Sequence, residues 1–162
     1  MLVTVENPMP VAWAHRAMRR CGATKDLTPL QLYRARHSVI YAVKFWIDIV
    51  GISDRVHTHL VRHHAGYIPW VLSQRPDRRG QPGPRSMSIL CNAEALINLA
   101  QKRLCGQAWH ETRAAVEQIR AEVAKLDPDL AAVMQPRCIW EGRCRQVKSC
   151  GFYQGQKLAG DV

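Results

Sequence analysis

Three arginine-bearing stretches offer chemistry before any fold is considered: Arg62-His63-His64, Arg103, and Glu111-Thr112-Arg113. A guanidinium presents its N–H donors as a planar fork and binds phosphate or carboxylate through charge-assisted, bidentate hydrogen bonds. Imidazoles change charge near neutral pH, so His57, His59, His63 and His64 form a polar, partly protonated group beside those arginines. His59 and His63 stand one helical turn apart, as metal ligands can, but no carboxylate ligand pattern accompanies them and no zinc site is expected there. Cys138, Cys144 and Cys150 are evenly spaced, with five residues between each pair. Zinc ribbons use shorter spacings and need a fourth ligand, so reduced thiols are the expectation. Cys91 and Cys105 read as small hydrophobes on a helix.

The whole chain is set up to attract anions. Lysine and arginine number 23 against 13 acids in 162 residues, a net charge of +10, and such an excess draws phosphorylated nucleotides or nucleic acid by long-range attraction. Nucleic acid is the less favoured partner, because only the charge and the basic stretch at 75–85, RPDRRGQPGPR, speak for it and no base-reading motif is visible. The opening MLVTVENPMPV carries no basic segment followed by an apolar run, and no apolar stretch approaches membrane-spanning length. A cytoplasmic location is expected, with thiols kept reduced. At 47% hydrophobic and 22% charged residues, the composition is that of one globular domain over 1–162.

Periodicity then supplies the elements that must position these groups. Residues 2–5 alternate as a short strand ended by Asn7 and Pro8, and a helix is expected over 10–20. Thr28-Pro29 reads as an N-cap followed by proline at the first helical position, opening a helix toward Ala35. Val43, Phe45, Ile47 and Ile49 alternate with Lys44, Trp46 and Asp48, a strand with one buried face that Gly51 ends. Ser53 caps a helix with Val56, Leu60 and Val61 on its apolar side, which delivers Arg62-His63-His64 at its C-terminal end. Residues 66–73 read as extended, with Pro69 arguing against a central strand. Residues 87–104 repeat apolar positions at helical spacing, and Val116, Ile119, Val123 and Leu126 stripe a second helix that Pro128 closes. Residues 137–151 return to turns and cysteines, within a cysteine-containing tail over about 137–162.

Taken in order, these residues resemble the flavin-dependent thymidylate synthase family. The stretch GISDRVHTHLVRHH, 51–64, is similar to the region ending in the family's Arg-His-Arg signature, and Ser73-Gln74-Arg75 looks like the Ser-x-Arg that closes it. His37 and the strand at 44–49 match what precedes the signature. A second block, Asn92-Ala93-Glu94-Ala95-Leu96 with Asn98, Arg103, Ala108 and Glu111-Thr112-Arg113, resembles the family's Asn-x-Arg-Ser-Leu helix and its downstream Arg and Glu-x-Arg. Three residues depart from the pattern: His64 replaces the last signature arginine, His59 a glutamine, and Glu94 the arginine of the helix motif.

The resemblance implies an α/β (α+β) fold, a small mixed or antiparallel sheet flanked by helices, assembled as a homo-oligomer, a tetramer in the family. It implies FAD held by Arg62, His63, His64 and Arg103 with His37 and Gln101, and dUMP or a related pyrimidine nucleotide held by His59, Ser73, Arg75 and Arg113. Arg113 is then the catalytic residue, its charge stabilising negative charge on the pyrimidine ring. The implied activity is methylation of dUMP to dTMP, with methylenetetrahydrofolate as carbon donor and NADPH as reductant of the flavin. A non-catalytic nucleotide-binding protein on the same fold is the alternative, and a nucleic-acid binder a more distant one.

Overall fold

The computed structural model describes residues 1–63, 65–71 and 85–159. Four strands, β1 (Leu2–Met9), β2 (Lys44–Ile52), β3 (Tyr67–Val71) and β4 (Arg85–Asn92), form one sheet in the order β1-β2-β4-β3, antiparallel throughout. Around it run α1 (Ala12–Arg20), α2 (Pro29–Ala35), a 3-10 helix (Ser38–Ala42), α3 (Asp54–Val61), α4 (Ala93–Arg103), α5 (His110–Leu126), α6 (Pro128–Val133) and α7 (Arg137–Glu141). This is the sheet-and-helix class expected from the sequence, with the sheet antiparallel.

Alternation decides which sheet face is buried. Phe45, Ile47 and Ile49 of β2 and Ile89 of β4 are fully buried, and Met87 and Cys91 nearly so. Against them lie Leu96, Ile97 and Leu99 of α4, Val116, Ile119 and Val123 of α5, and Val56 and Leu60 of α3, all in one cluster. Alternate residues face outward, where Trp46 and Trp70 stack with ring centroids 5.0 Å apart. Val50, Ile68, Trp70 and Val71 remain exposed.

Several boundaries differ from the sequence expectation. The strand at 2–5 continues to Met9, because β1 is an edge strand and a register shift between Glu6 and Met9 absorbs Pro8. β2 runs past Gly51, which adopts φ +81 at a second register shift. The helix expected over 87–104 is two elements. Met87, Ile89 and Cys91 alternate as β4 before α4 begins at Ala93, so Cys91 lies on a strand and Cys105 just beyond the helix. Leu90 joins the apolar positions of strand and helix into a run that imitates helical spacing. Pro128 occupies the first turn of α6 instead of merely ending α5, and Leu126 is exposed. Pro69 does sit on an edge strand, β3.

A buried hydrogen bond closes the helical layer. The Tyr33 hydroxyl on α2 donates to Asp127, whose other carboxylate oxygen accepts the Leu130 N–H at 3.0 Å and caps α6. Burial pushes the Tyr33 hydroxyl up, and the Asp127 hydrogen bond and charge push it further. Tyr33→Phe is expected to leave one buried carboxylate oxygen without its donor and to lower unfolding free energy by about 1–3 kcal/mol. Urea titration of both proteins measures this, and unchanged stability would show that the bond is not a net contributor.

Candidate functional site

The site is assembled where three helix ends meet. Ser53 accepts the Val56 N–H at 3.4 Å and starts α3 directly after β2, so the helix carries His59 inward and ends with Arg62 as its C-cap. After His63 the chain turns through Gly66, at φ +69, into β3. A β-carbon at Gly66 would sit 2.3 Å from the Asn92 side-chain nitrogen, so only glycine lets this turn lie against the start of α4. Asn92 in turn accepts the Ala95 N–H at 2.8 Å and caps α4. The opposite end of that helix supplies Arg103.

Arg103 joins the pieces. Its Nε donates to His63 Nε2 at 3.2 Å and its Nη2 donates to the His59 carbonyl at 3.1 Å. His63 accepts through Nε2, which leaves its proton on Nδ1. His59 Nδ1 meets the Thr112 hydroxyl at 2.8 Å, tying α3 to the first turn of α5. Tyr67 completes the wall, its ring 5.9 Å from that of His63 and its buried hydroxyl without a hydrogen-bond partner among the described residues.

The electrostatics are one-sided. Burial lowers the pKa of Arg103 and the nearby charge of Arg62 lowers it further. Burial, then the charges of Arg103, Arg55 and Arg62, hold the His59 imidazole below its ordinary value. Among the described residues neither Arg62 nor Arg103 has a carboxylate partner. Two guanidinium groups sharing a field with no carboxylate counter-charge attract anions, and guanidinium donors suit phosphate.

The other residues singled out by sequence fall in different places. Arg113 lies one position beyond Thr112 on α5, with its Nε 3.6 Å from Glu117 and its side chain 39% exposed. Its neighbour Glu111 accepts from Ser53 at 2.8 Å and from Trp109 at 3.2 Å. Gln101 faces the other side of α4, lining a cavity with Cys105 and α7. His37 caps the 3-10 helix, its Nδ1 accepting the Val39 N–H at 3.4 Å. His64, Ser73, Arg75 and the basic stretch up to 84 lie outside the described residues. Thr112 and Tyr67 were missed by sequence reasoning. Thr112 could have been found, since it sits inside the Glu-x-Arg segment.

A scan of protein-family models and a search of curated proteins return no match. Among solved structures the chain has the fold of the flavin-dependent thymidylate synthases. The flavin-dependent thymidylate synthase ThyX from Helicobacter pylori, complexed with FAD and dUMP, superposes with a TM-score of 0.67 at 14% identity, over 83% of this chain and all of that one. The UMP/dUMP methylase PolB from Streptomyces cacaoi, bound with 5-Br dUMP, gives 0.62 at 15% identity over 82% of this chain and 94% of its own. The shared property is the fold.

His59 carries a pH signature. A folded-state pKa held below the unfolded value of about 6.5 means that its contribution to stability is present above that value and is lost as pH falls through the folded pKa. His57, also lowered by burial and then by Arg85, acts in the same direction. His59→Asn, which keeps a partner for Thr112 but does not titrate, is expected to flatten part of the loss below pH 6.5 in urea titrations. An unchanged slope would mean that His59 is solvated like a free imidazole.

Proposed function

We propose that this chain binds FAD and a pyrimidine nucleotide and methylates dUMP to dTMP, or carries out a closely related modification, with methylenetetrahydrofolate as carbon donor and NADPH as reductant. The observation that carries the reading is the uncompensated pair Arg62 and Arg103, held with His63 and His59 at the junction of α3, α4 and α5. The fold is shared with ThyX, whose structure is complexed with FAD and dUMP, and with PolB, bound with 5-Br dUMP, and a cationic cluster without its own anion suits a phosphorylated ligand.

In this reading Arg62, His63 and Arg103 hold FAD, with His64, His37 and Gln101 assigned to the same ligand by resemblance. His59, Ser73 and Arg75 are assigned to the nucleotide, and Arg113 to the uracil ring. When bound, FAD supplies the hydride chemistry. The chain's own part is to orient the nucleotide, screen its phosphate charge, and place a guanidinium where negative charge grows on the ring. Within one chain Gln101 faces away from the Arg103 cluster and Arg113 pairs with Glu117 along its own helix, which favours a site completed by a second copy. A homo-oligomer, a tetramer by family likeness, would also cover Ile68 and Trp70 on the outer sheet face. The reading carries a cytoplasmic location with it.

A non-catalytic nucleotide-binding role is the second reading, favoured by one observation. Glu94 stands where the family helix carries arginine, and its carboxylate is engaged by Arg36. Yellow protein with flavin absorbance would favour the first reading over the second.

Arg62→Ala is expected to weaken FAD binding by about 1–3 kcal/mol, the scale of a lost charged hydrogen bond, in calorimetric titration. Unchanged affinity would remove this cluster from the flavin site.

Arg113→Ala is expected to abolish tritium release from C5 of labelled dUMP while NADPH still reduces the flavin, because only ring activation needs that charge. If the site is shared between copies, mixing Arg62→Ala, at FAD concentrations too low to saturate it, with inactive Arg113→Ala should give more activity than the two measured apart. No tritium release from the unaltered protein with flavin and folate present would overturn the substrate assignment, and no rescue on mixing would overturn the shared site.

A further inference from the structure

Four of the six cysteines line one cavity. Cys105 follows α4, Cys138 lies on α7, and Cys144 and Cys150 lie on the turns beyond it, around a space of about 200 Å³. Cys105 and Cys144 are near enough to Cys138 for their charges to act on its thiol. Cys150 is seated directly on the chain beside Cys105: a β-carbon at Gly106 would come within 2.8 Å of its sulfur. The three evenly spaced thiols of the tail thus meet the fourth that a tetrahedral site requires, supplied from 33 residues upstream of Cys138, a separation the sequence pattern alone does not reveal.

The tail needs something to hold it. Between Gly142 and Ala159 there is no helix or strand, and Leu158 is its one buried side chain. Ordering a backbone costs about 1–2 kcal/mol per residue, which so little apolar burial does not offset. Short segments with this profile are held by a cross-link or by a metal. The surroundings suit a thiolate centre, since Lys102 and Arg143 line the same cavity and would offset part of the negative charge of an ion held by four thiolates, whereas Arg137 and Arg145 there are paired with Glu141.

We propose that Cys105, Cys138, Cys144 and Cys150 bind one structural zinc ion that fastens the C-terminal tail to the end of α4. Each thiol releases its proton to solvent as its sulfur takes the ion, and nothing is oxidised or reduced. Among the described residues no three thiol, imidazole or carboxylate groups stand arranged to hold an ion without movement. Binding therefore draws the sulfurs inward to zinc–sulfur distances of about 2.3 Å. The turns between Gly142, at φ +64, and Gly151, at φ +77, carry Cys144 and Cys150 and have no buried side chains to obstruct that contraction.

Metal analysis of full-length protein purified without chelator tests this. About one zinc per chain is expected, falling at least several-fold in Cys138→Ser and in Cys144→Ser and unchanged in Cys21→Ser, whose thiol is exposed on another part of the fold. Should the serine variants fail to fold, cobalt added to reduced, zinc-stripped unaltered protein decides the matter, because tetrahedral thiolate coordination gives intense visible and near-ultraviolet bands. Zinc near zero together with no cobalt bands overturns the proposal. So does zinc retained in Cys138→Ser, iron in place of zinc, or a disulfide between two of the four in protein purified under reductant.

Discussion

The structure turns on one corner, the residue where β4 becomes α4. The Asn92 N–H donates to the Gly66 carbonyl at 2.9 Å, its side chain caps α4, and the next residue, Ala93, donates to the Val43 carbonyl at 3.1 Å. Three elements therefore start from one point: β2 after Val43, β3 after Gly66, and α4 itself. The bond to Gly66 fixes the turn that carries His63, and the cap fixes the helix that ends in Arg103. Their meeting at 3.2 Å is a consequence of that corner. Asn92 is buried, and a buried amide without partners costs more than its hydrogen bonds contribute, so the corner holds its shape or fails as a unit.

Charge is arranged along α4 in the same economical way. The first turn carries Glu94, which receives two hydrogen bonds from Arg36 and one from Asn98 at 3.2 Å. Arg36 reaches it from the end of α2 in a left-handed conformation, φ 51, that non-glycine residues adopt at a cost. A carboxylate suits the N-terminal end of a helix and a guanidinium suits the C-terminal end. Glu94 and Arg103 follow that rule. Glu94 is accordingly paired with a guanidinium brought in by Arg36, which stacks on Trp140 as well. The pair is 29% and 16% exposed, and losing one partner would strand the other.

What the sequence disclosed follows from how local each signal is. Thr28-Pro29 and Ser53 announce helix starts because a cap is a matter of three or four residues, and both act as caps, Thr28 with Gln31 as a reciprocal box. The β2 alternation is as local and as readable. β4 was obscured because Leu90 adds an apolar residue on the outward face, where the neighbours Ile68 and Trp46 share its surroundings across the sheet. Among site residues, arginine and histidine types were legible from their chemistry. Their partners were not: Thr112 meets His59 across 53 residues and Tyr33 meets Asp127 across 94, pairings that no spacing rule encodes.

The same helix binds the two halves of the molecule's chemistry together. On α4, Arg103 turns toward His59 and His63, whereas Gln101 and Lys102 line the cavity that Cys105 enters just past the helix end. Residues 101 and 103 point to opposite sides because successive positions on a helix are separated by about 100°. A shift at the last turn of α4 must therefore move both the guanidinium and the thiol cluster. A tail fastened at Cys105 would restrain that turn from the side away from Arg103 and its neighbour Arg62, whose like charges have no carboxylate between them among the described residues.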